Sequence, residues 1–362
     1  MKSIAYFLNV PWSWIKQRPQ FIAEQLTREF DVHIYEELEF KKRTQKNKKK
    51  ESMTFHKMFR LPLQRKLPIL KLNHFFYKIQ LKNKLCDYDI IWLTHPTQIN
   101  YIDSKLSNAV IVYDCMDDML LFPTVCDKYN YFHYSELTLI NRADYIFFSS
   151  EYLKKKIEKR YKKDLNQKSY IVNNAINKSM LKMNYHNNCK KNKSEYKHIV
   201  YIGTIAEWID FKLLYESLDI FPNIQYDFYG PFRTEVPYSH ERLVFHGTIE
   251  HDDVAKVLAA ADLLIMPFLV TDLIKAVNPV KLYEYISSSV PSVAVRYGES
   301  EKFSEFVYLY KNKEEYYQLL MKLMKDNLPV KKQNERMIFL QKNTWDQRGK
   351  KVREKLNKLL SK

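Results

Sequence analysis

Glycine is scarce in this sequence: only five of the 362 residues are glycine, where average usage of about 7% would give roughly 25. Three of the five, Gly203, Gly230 and Gly247, come directly after the apolar stretches HIVYI, IQYDFY and RLVFH, which predict strands. Ligands bind at the carboxyl ends of parallel strands, where glycine lets the backbone approach them closely. We therefore predict a ligand site beside these glycines, with turn geometry as the alternative for any single one.

Long apolar runs, a signal peptide and paired cysteines are also missing. No run approaches the roughly 18 apolar residues that a membrane span requires, and Met1–Val10 lacks the apolar core and cleavage site of a signal peptide. The four cysteines show no C-x-x-C spacing, so neither a disulfide framework nor a zinc site is indicated. We expect a cytoplasmic protein.

Acidic residues are almost absent from residues 41–84. This segment holds fifteen Lys and Arg and the single acid Glu51, a net charge of +14 out of +17 for the whole chain. Lys41–Lys50 has the composition of an exposed loop, and the residues after it interleave basic with apolar side chains. This mixture fits an anionic membrane surface, where each basic residue contributes about 1 kcal/mol and apolar side chains enter the interface. A solvated basic loop and a nucleic-acid-binding surface are the alternatives. The apolar residues expected to enter the interface include Phe55, Phe59, Leu63, Phe75 and Phe76.

Short apolar strands alternate with helical segments along the chain, which predicts an α/β protein with parallel sheets covered on both faces. The length favours two domains. The polar, lysine-rich stretch 177–197 is the expected linker between an N-terminal domain over 1–176, with 41–84 inserted, and a C-terminal domain over 198–342. An amphipathic helix is predicted for the last residues, 343–362.

Residues 261–296 predict a strand, a loop, a helix and a further strand. Asn278 and Pro279 are typical of a helix start, since Asn accepts hydrogen bonds from free amides and proline is tolerated in the first turn. Lys281 then lies in the first turn and Glu284 follows on the same face. A lysine beside the free amides suggests a bound phosphate or diphosphate, and a carboxylate one turn later suits a sugar diol. A site for a nucleotide diphosphate with its ribose is predicted, with an ordinary Lys–Glu pair as the alternative.

Four segments together resemble the family 4-like glycosyltransferases of the GT-B fold, such as those of teichuronic acid and exopolysaccharide synthesis in bacteria: WSWIKQRPQFIAEQL, VYDCMDD, YIGTIAEWID and NPVKLYEYISSSVPSVAV. The resemblance spans nearly the whole chain. It implies two Rossmann-like domains with parallel sheets facing across a cleft and a C-terminal helix that returns to the N-terminal domain. The implied reaction moves a sugar, as a hexosyltransferase, from a nucleotide diphosphate sugar to a saccharide acceptor. A UDP-sugar is favoured as donor.

The resemblance places the donor against the C-terminal domain. It implies that Glu284 holds the ribose, that Lys281 and Lys275 face the diphosphate, and that Gly203 and Thr204 allow close backbone approach. The full set of donor-binding candidates is Gly203, Thr204, Gly230, Gly247, Lys275, Asn278, Pro279, Lys281 and Glu284. No metal ion and no further cofactor are expected, because the lysines and helix amides can stabilise the departing diphosphate, which gives Lys281 a catalytic role as well. The resemblance implies retention at the anomeric carbon. Ala276 stands where the family carries a second glutamate, and this departure keeps inversion with an aspartate base open.

The N-terminal domain is expected to bind the acceptor. His95 ends the strand DYDIIWLT and corresponds to the histidine that contacts the donor sugar in related enzymes, although a lone loop histidine is the alternative. The other catalytic candidates, which can orient acceptor hydroxyls, serve as a base or cap a helix, are Asp114, Asp117 and Asp118. The acceptor-binding candidates in the first strand-to-helix loop, with plain packing as the alternative for the tryptophans, are Trp12, Trp14, Gln17 and Arg18.

The acceptor is expected to be lipid-linked and presented at the inner face of the membrane. The protein would bind there as a peripheral protein and help to make a cell-surface polysaccharide such as capsule. A nucleotide-sugar epimerase of similar architecture is one alternative, but it would not need the basic, apolar segment. A nucleic-acid-binding protein is the other, but it would leave Lys281 and Glu284 unexplained, and no nucleic acid is expected as a partner.

Overall fold

The computed structural model describes residues 1–38, 52–63, 66–103, 109–181 and 194–361. The chain forms two compact units, Met1–Asn173 with Trp345–Lys362, and Asn174–Thr344. Lys41–Lys50 and most of the expected linker lie outside the described residues.

The first unit is built on a seven-stranded sheet in which every neighbouring pair of strands is parallel. Its order is β3-β2-β1-β4-β5-β6-β7. The strands are β1 (Ser3–Phe7), β2 (Asp31–Glu37), β3 (Met53–Met58), β4 (Ile90–Leu93), β5 (Val110–Cys115), β6 (Tyr145–Phe148) and β7 (Ser169–Ile171). The central strands are apolar throughout because helices cover both faces of a parallel sheet.

Helices of the first unit follow the strands in alternation. They are α1 (Arg18–Leu26), α2 (Leu67–Leu81), α3 (Tyr129–Arg142) and α4 (Glu151–Tyr161), and 3₁₀ helices cover Pro96–Tyr101, Met119–Leu121 and Pro123–Lys128. A stack of rings fixes the middle of the sheet, with centroids 5.5 Å apart for Tyr6 and Trp92 and 5.4 Å apart for Trp92 and Phe147.

The second unit repeats this plan with six parallel strands in the order β10-β9-β8-β11-β12-β13. The strands are β8 (Lys197–Ile202), β9 (Ile224–Tyr229), β10 (Leu243–Gly247), β11 (Leu263–Met266), β12 (Ser292–Val295) and β13 (Tyr308–Tyr310). The helices are α5 (Lys178–Leu181), α6 (Phe211–Ile220), α7 (His251–Ala260), α8 (Asp272–Lys275), α9 (Val280–Ser287), α10 (Gly298–Glu301), α11 (Lys313–Met324) and α12 (Arg336–Lys342).

The last helix, α13 (Trp345–Leu360), packs within the first unit although it follows the second in sequence. Trp345 stacks on Phe21 of α1 with centroids 5.0 Å apart. Arg353 donates from Nε to Glu29 at 2.7 Å. The predicted return of the C-terminal helix to the N-terminal domain is therefore confirmed.

Both sheets reverse their strand order in the middle, between β1 and β4 and between β8 and β11. Ligands of open α/β sheets bind outside the carboxyl ends of the strands at such a reversal. The fold thus marks one candidate site in each unit before any side chain is considered. Among the described residues, no helix is long and apolar enough to cross a membrane.

Candidate functional site

The candidate site of the second unit begins with two glycines that touch each other. Gly203 follows β8 and Gly230 follows β9, both with φ of +147°, a conformation that L side chains rarely adopt. A Cβ on Gly230 would lie 2.0 Å from the carbonyl oxygen of Gly203, and a Cβ on Gly203 would lie 2.1 Å from Cε of Lys281. Gly203 therefore leaves the space that the lysine side chain occupies, and Gly230 leaves the space for the carbonyl group of Gly203. For Gly247, with φ of +73°, no atom of the described residues lies within 4 Å of such a Cβ, so turn geometry is sufficient to explain it.

Lys281 lies in the first turn of α9 and reaches the carboxyl end of β8. Its Nζ is 5.5 Å from the ring centroid of Tyr201 and 5.6 Å from that of Phe268. Burial lowers the pKa of this lysine, and the nearby Glu284 opposes that shift. No carboxylate lies within ion-pair distance of Nζ in the part of the chain that the structure describes. Among the described residues, the ammonium group thus lacks a direct ion-pair partner.

Glu284 lies one turn further along α9 and is half-buried. Burial raises the pKa of its carboxyl group to about 7, although Lys281 pulls the pKa in the other direction. Its carboxylate oxygens accept no hydrogen bond from any of the described residues. Placing two charges in a poorly solvated site without direct partners costs free energy, and such perturbed groups are typical of sites that a ligand completes.

The predicted cap of this helix is wrong. Helix α9 begins at Val280 with Pro279 in the cap position, and Asn278 is buried. Asn278 accepts a hydrogen bond from the N–H of Asn174 at 3.0 Å and donates one to Glu299 at 3.0 Å. Because its amide satisfies these buried groups, Asn278 fixes the entry to α9 rather than contacting a ligand.

Three other predicted positions lie around this core. Lys275 ends the short helix α8 and pairs with Asp272 at 3.1 Å. Ala276 follows it and is fully buried, so its methyl group faces protein. Thr204 accepts a hydrogen bond from the Tyr201 hydroxyl at its carbonyl oxygen, 2.9 Å away, which ties the loop after Gly203 to β8.

In the first unit, His95 lies where the strand order reverses, directly after β4. The backbone N–H of Thr97 donates to Nδ1 at 3.3 Å, so the neutral ring carries its proton on Nε2. The ring of Phe132 meets it edge-on at 5.4 Å, and burial lowers the pKa of His95 to about 4. Nε2 has no hydrogen-bond partner within the described ranges, which leaves a fixed N–H donor.

Arg18 and Asp114 form an internal ion pair, which corrects the roles predicted for them. The guanidinium donates to Asp114 from Nε at 3.0 Å and from Nη2 at 2.7 Å, and it also donates to the carbonyl of Val172. Both side chains are buried. We therefore assign the pair to holding α1 against β5 and β7, since neither group is presented to an acceptor.

Asp118 is likewise buried inside the first unit, where it pairs with Lys156 at 3.2 Å and with Arg160. Asp117 is half-buried beside it. Of the three aspartates predicted as catalytic, Asp117 is the one whose side chain is not enclosed in the core.

The predicted acceptor loop after β1 is mixed in character. Trp12 is buried with its ring edge-on to Phe55 at 5.3 Å, and its backbone N–H donates to Glu36 at 2.7 Å. Trp12 is therefore a packing residue, the alternative already recognised from the sequence. Trp14 is half-buried and Gln17 is exposed, so these two remain candidates for acceptor binding.

Sequence reasoning missed the residues that shape these sites from a distance. Tyr201 and Phe268 flank Lys281, Thr97 orients His95, and Glu299 anchors Asn278. No local pattern marks Tyr201, Phe268 and Glu299, because the fold brings each close to a residue distant in sequence, whereas Thr97 lies only two positions after His95.

The chain is similar to known proteins in sequence and in fold. No family model matches the chain. A protein of Bacillus subtilis (strain 168), named putative teichuronic acid biosynthesis glycosyltransferase TuaH, is 26% identical over 237 residues, which is 61% of this chain and 59% of that protein. The match thus spans about three fifths of the length of that curated relative.

Two solved structures match along almost the whole chain. Sucrose-phosphate synthase from Thermosynechococcus elongatus is 12% identical with a TM-score of 0.74, covering 100% of both chains. HepE of Anabaena, solved in complex with UDP-glucose, is 13% identical with a TM-score of 0.67, covering 99% of this chain and 100% of that chain. At such identities the likeness shows the fold, and the predicted GT-B fold and the resemblance behind it are confirmed.

Proposed function

We propose that the protein is a glycosyltransferase that uses a UDP-sugar as donor. The observation that carries this proposal is the pair Lys281 and Glu284, two poorly solvated charges without direct partners, set beside Gly203 where the second sheet reverses its strand order. The name of the Bacillus subtilis relative supports the reaction class. The complexes of HepE with UDP-glucose and with UDP support the donor.

In this proposal the second unit binds the nucleotide. The diphosphate lies against the first turn of α9, where free amide groups and the Lys281 ammonium face it. Charge builds up on the diphosphate as the glycosidic bond breaks, so these donors stabilise the transition state more than the bound substrate. Glu284 accepts hydrogen bonds from the ribose hydroxyls. The reaction then needs no metal ion and no further cofactor.

The first unit supplies the sugar and acceptor contacts. The Nε2–H group of His95 donates to a sugar hydroxyl, which a neutral imidazole can do throughout the physiological pH range. Trp14 and Gln17 contact the acceptor, and Asp117 orients its hydroxyl groups. We infer a hexose donor and retention at the anomeric carbon. Because Ala276 stands where the family carries a second glutamate, inversion with Asp117 as the base is the alternative mechanism.

The acceptor in this proposal is a saccharide linked to lipid, and the product belongs to a cell-surface polysaccharide such as a capsule. The relative named for teichuronic acid biosynthesis supports this pathway class. The protein would then work as a peripheral protein at the cytoplasmic face of the membrane.

A panel of UDP-sugars tests the proposal directly. Ligand at 100 times its dissociation constant adds about 2.7 kcal/mol to stability, so a bound donor raises the melting temperature measurably. Each sugar that stabilises the protein is then incubated with saccharide and lipid-linked acceptors while free UDP and the sugar products are followed by NMR. UDP release with a new glycosidic bond is the expected result. Conversion of the donor into its epimer would instead establish the epimerase alternative.

A further inference from the structure

Helix α2 has an apolar face that the other described residues of the first unit do not cover. Its buried residues are Asn73, His74, Tyr77 and Leu81. On the opposite side, Leu72, Phe75 and Ile79 recur at helical spacing and are 41%, 59% and 54% exposed. A surface helix normally carries polar side chains there, so this stripe requires a reason.

Basic residues border the stripe. Lys71, Lys78 and Lys82 recur at the same spacing along one flank of the helix. Residues 52–84 contain no Asp or Glu at all, and neither Lys78 nor Lys82 forms an ion pair within the described residues. Just before the helix, Phe59 and Leu63 are also exposed, by 49% and 69%.

We propose that this docking face binds the surface of an anionic lipid bilayer. The docking face consists of Phe59, Leu63, Leu72, Phe75 and Ile79 together with Lys71, Lys78 and Lys82. An amphipathic helix lying in the interface buries its apolar side chains between the acyl chains and places its lysines among the headgroups. Positive charge without any acid matches the negative potential of anionic lipid. The inference does not depend on the proposed reaction.

The apolar residues of the docking face differ in part from those that the sequence predicted. Phe55 lies on β3 and packs against Trp12, and Phe76 is half-buried beside Phe75. These two side chains belong to the fold and are not part of the membrane contact. The exposed residues Leu72 and Ile79 take their place.

The inner side of α2 holds the docking face rigidly to the first unit. Asn73 accepts from the N–H of Leu61 at 2.7 Å and donates to its carbonyl at 3.1 Å. The rings of His74 and Tyr77 contact Tyr101 with centroids 4.9 and 4.8 Å apart. Tyr101 ends the 3₁₀ helix that His95 begins, so docking would hold the His95 segment close to the bilayer.

Flotation of the full chain with vesicles tests the proposal. Vesicles of phosphatidylcholine with about 30% phosphatidylglycerol are compared with pure phosphatidylcholine. We expect a much larger fraction of the protein to float with the anionic vesicles than with the neutral ones. Part of the binding should persist at 1 M salt, where the Debye screening length falls to about 3 Å. The insertion of apolar side chains does not depend on charge and should survive this screening. Absence of binding to anionic vesicles would overturn the proposal.

Matched variants separate the docking face from general charge and stickiness. Phe75→Ser with Ile79→Ser removes exposed apolar side chains, and Met337→Ser with Ile338→Ser removes comparably exposed ones from α12. Lys78→Glu reverses a charge in the last turn of α2, and Lys322→Glu does the same in α11. The α2 variants should lose at least tenfold in vesicle affinity and the controls should not. Equal loss in both sets, or a change only in self-association, would overturn the assignment of this face to lipid.

Discussion

Glu284 should make donor binding depend on pH. Its pKa of about 7 in the free protein means that roughly half of the molecules carry a protonated carboxyl group at neutral pH, while the ribose hydroxyls require an acceptor. Affinity for UDP should therefore fall as pH drops below 7, approaching about tenfold per unit. Glu284→Gln should bind UDP more weakly by about 1.5–3 kcal/mol, without this dependence.

Calorimetry of both proteins between about pH 5.5 and 8.5 checks the assignment. Titration of the terminal phosphate of UDP affects both proteins alike, so the difference between the two curves reports Glu284 alone. Two parallel curves would show that this carboxylate does not contact the nucleotide.

His95→Ala should reduce sugar transfer and leave UDP affinity unchanged. The ring is held by Thr97 and offers its Nε2–H to a ligand, but no contact with the nucleotide is proposed for it. Since the pKa of His95 is about 4, the ring stays neutral above about pH 5, and its titration should not change the rate of sugar transfer there. Single-turnover rates and calorimetry distinguish the two effects. A matching loss of UDP affinity would assign His95 to the nucleotide instead.

At the level of secondary-structure elements, the loop after β8 and the start of α9 should act together in positioning the Lys281 side chain. Gly203→Ala places a methyl group where Lys281 now lies, so it should displace the ammonium group. Sugar transfer should then slow much as it does in Lys281→Met, because the departing diphosphate loses roughly 2.7–4 kcal/mol of stabilisation in the transition state. The double variant should be little worse than either single one. Gly298→Ala is the control, because no atom in the described part of the chain lies within 4 Å of its new Cβ. Additive losses would separate the glycine from the lysine.

The elements themselves follow well from sequence. Apolar runs in alternation with helices predicted most strands of both sheets, although not β3 in the basic segment or β13, and three glycines marked the carboxyl ends of β8, β9 and β10. The exact start of α9 did not follow, because Asn278 has the residue type of a cap but is drawn inward by Asn174 and Glu299. Such a competition between local and distant partners is decided by tertiary structure, which local propensity does not contain.

At the level of the whole molecule, the errors concern pairs of residues far apart in sequence. Arg18 and Asp114 are 96 positions apart and neutralise each other in the core, although each alone has the character of a site residue. Phe55 sits in a basic segment but packs on Trp12. The sequence predicted where both candidate sites lie, because the ends of the strands determine their positions. It did not show which of their polar residues form internal contacts and which are left to bind a ligand.

The packing of α13 against the first unit should stabilise the first unit and should not affect the second. Gly349 faces α1 so closely that a Cβ would lie 2.3 Å from Cβ of Gln25, and Gly349→Val should therefore destabilise the first unit by about 1–3 kcal/mol through overpacking. Lys350→Val, on the exposed side of the same helix, controls for helix propensity. Four of the five tryptophans belong to the first unit.

Denaturant unfolding followed by tryptophan fluorescence consequently reports mainly the first unit. The midpoint should drop for Gly349→Val and stay close to wild type for Lys350→Val. Affinity for UDP should remain unchanged in both, because the Lys281 and Glu284 site is formed by Asn174–Thr344. Loss of UDP affinity in Gly349→Val under native conditions would mean that the nucleotide site depends on residues of the first unit, contrary to the division of roles proposed for the two units.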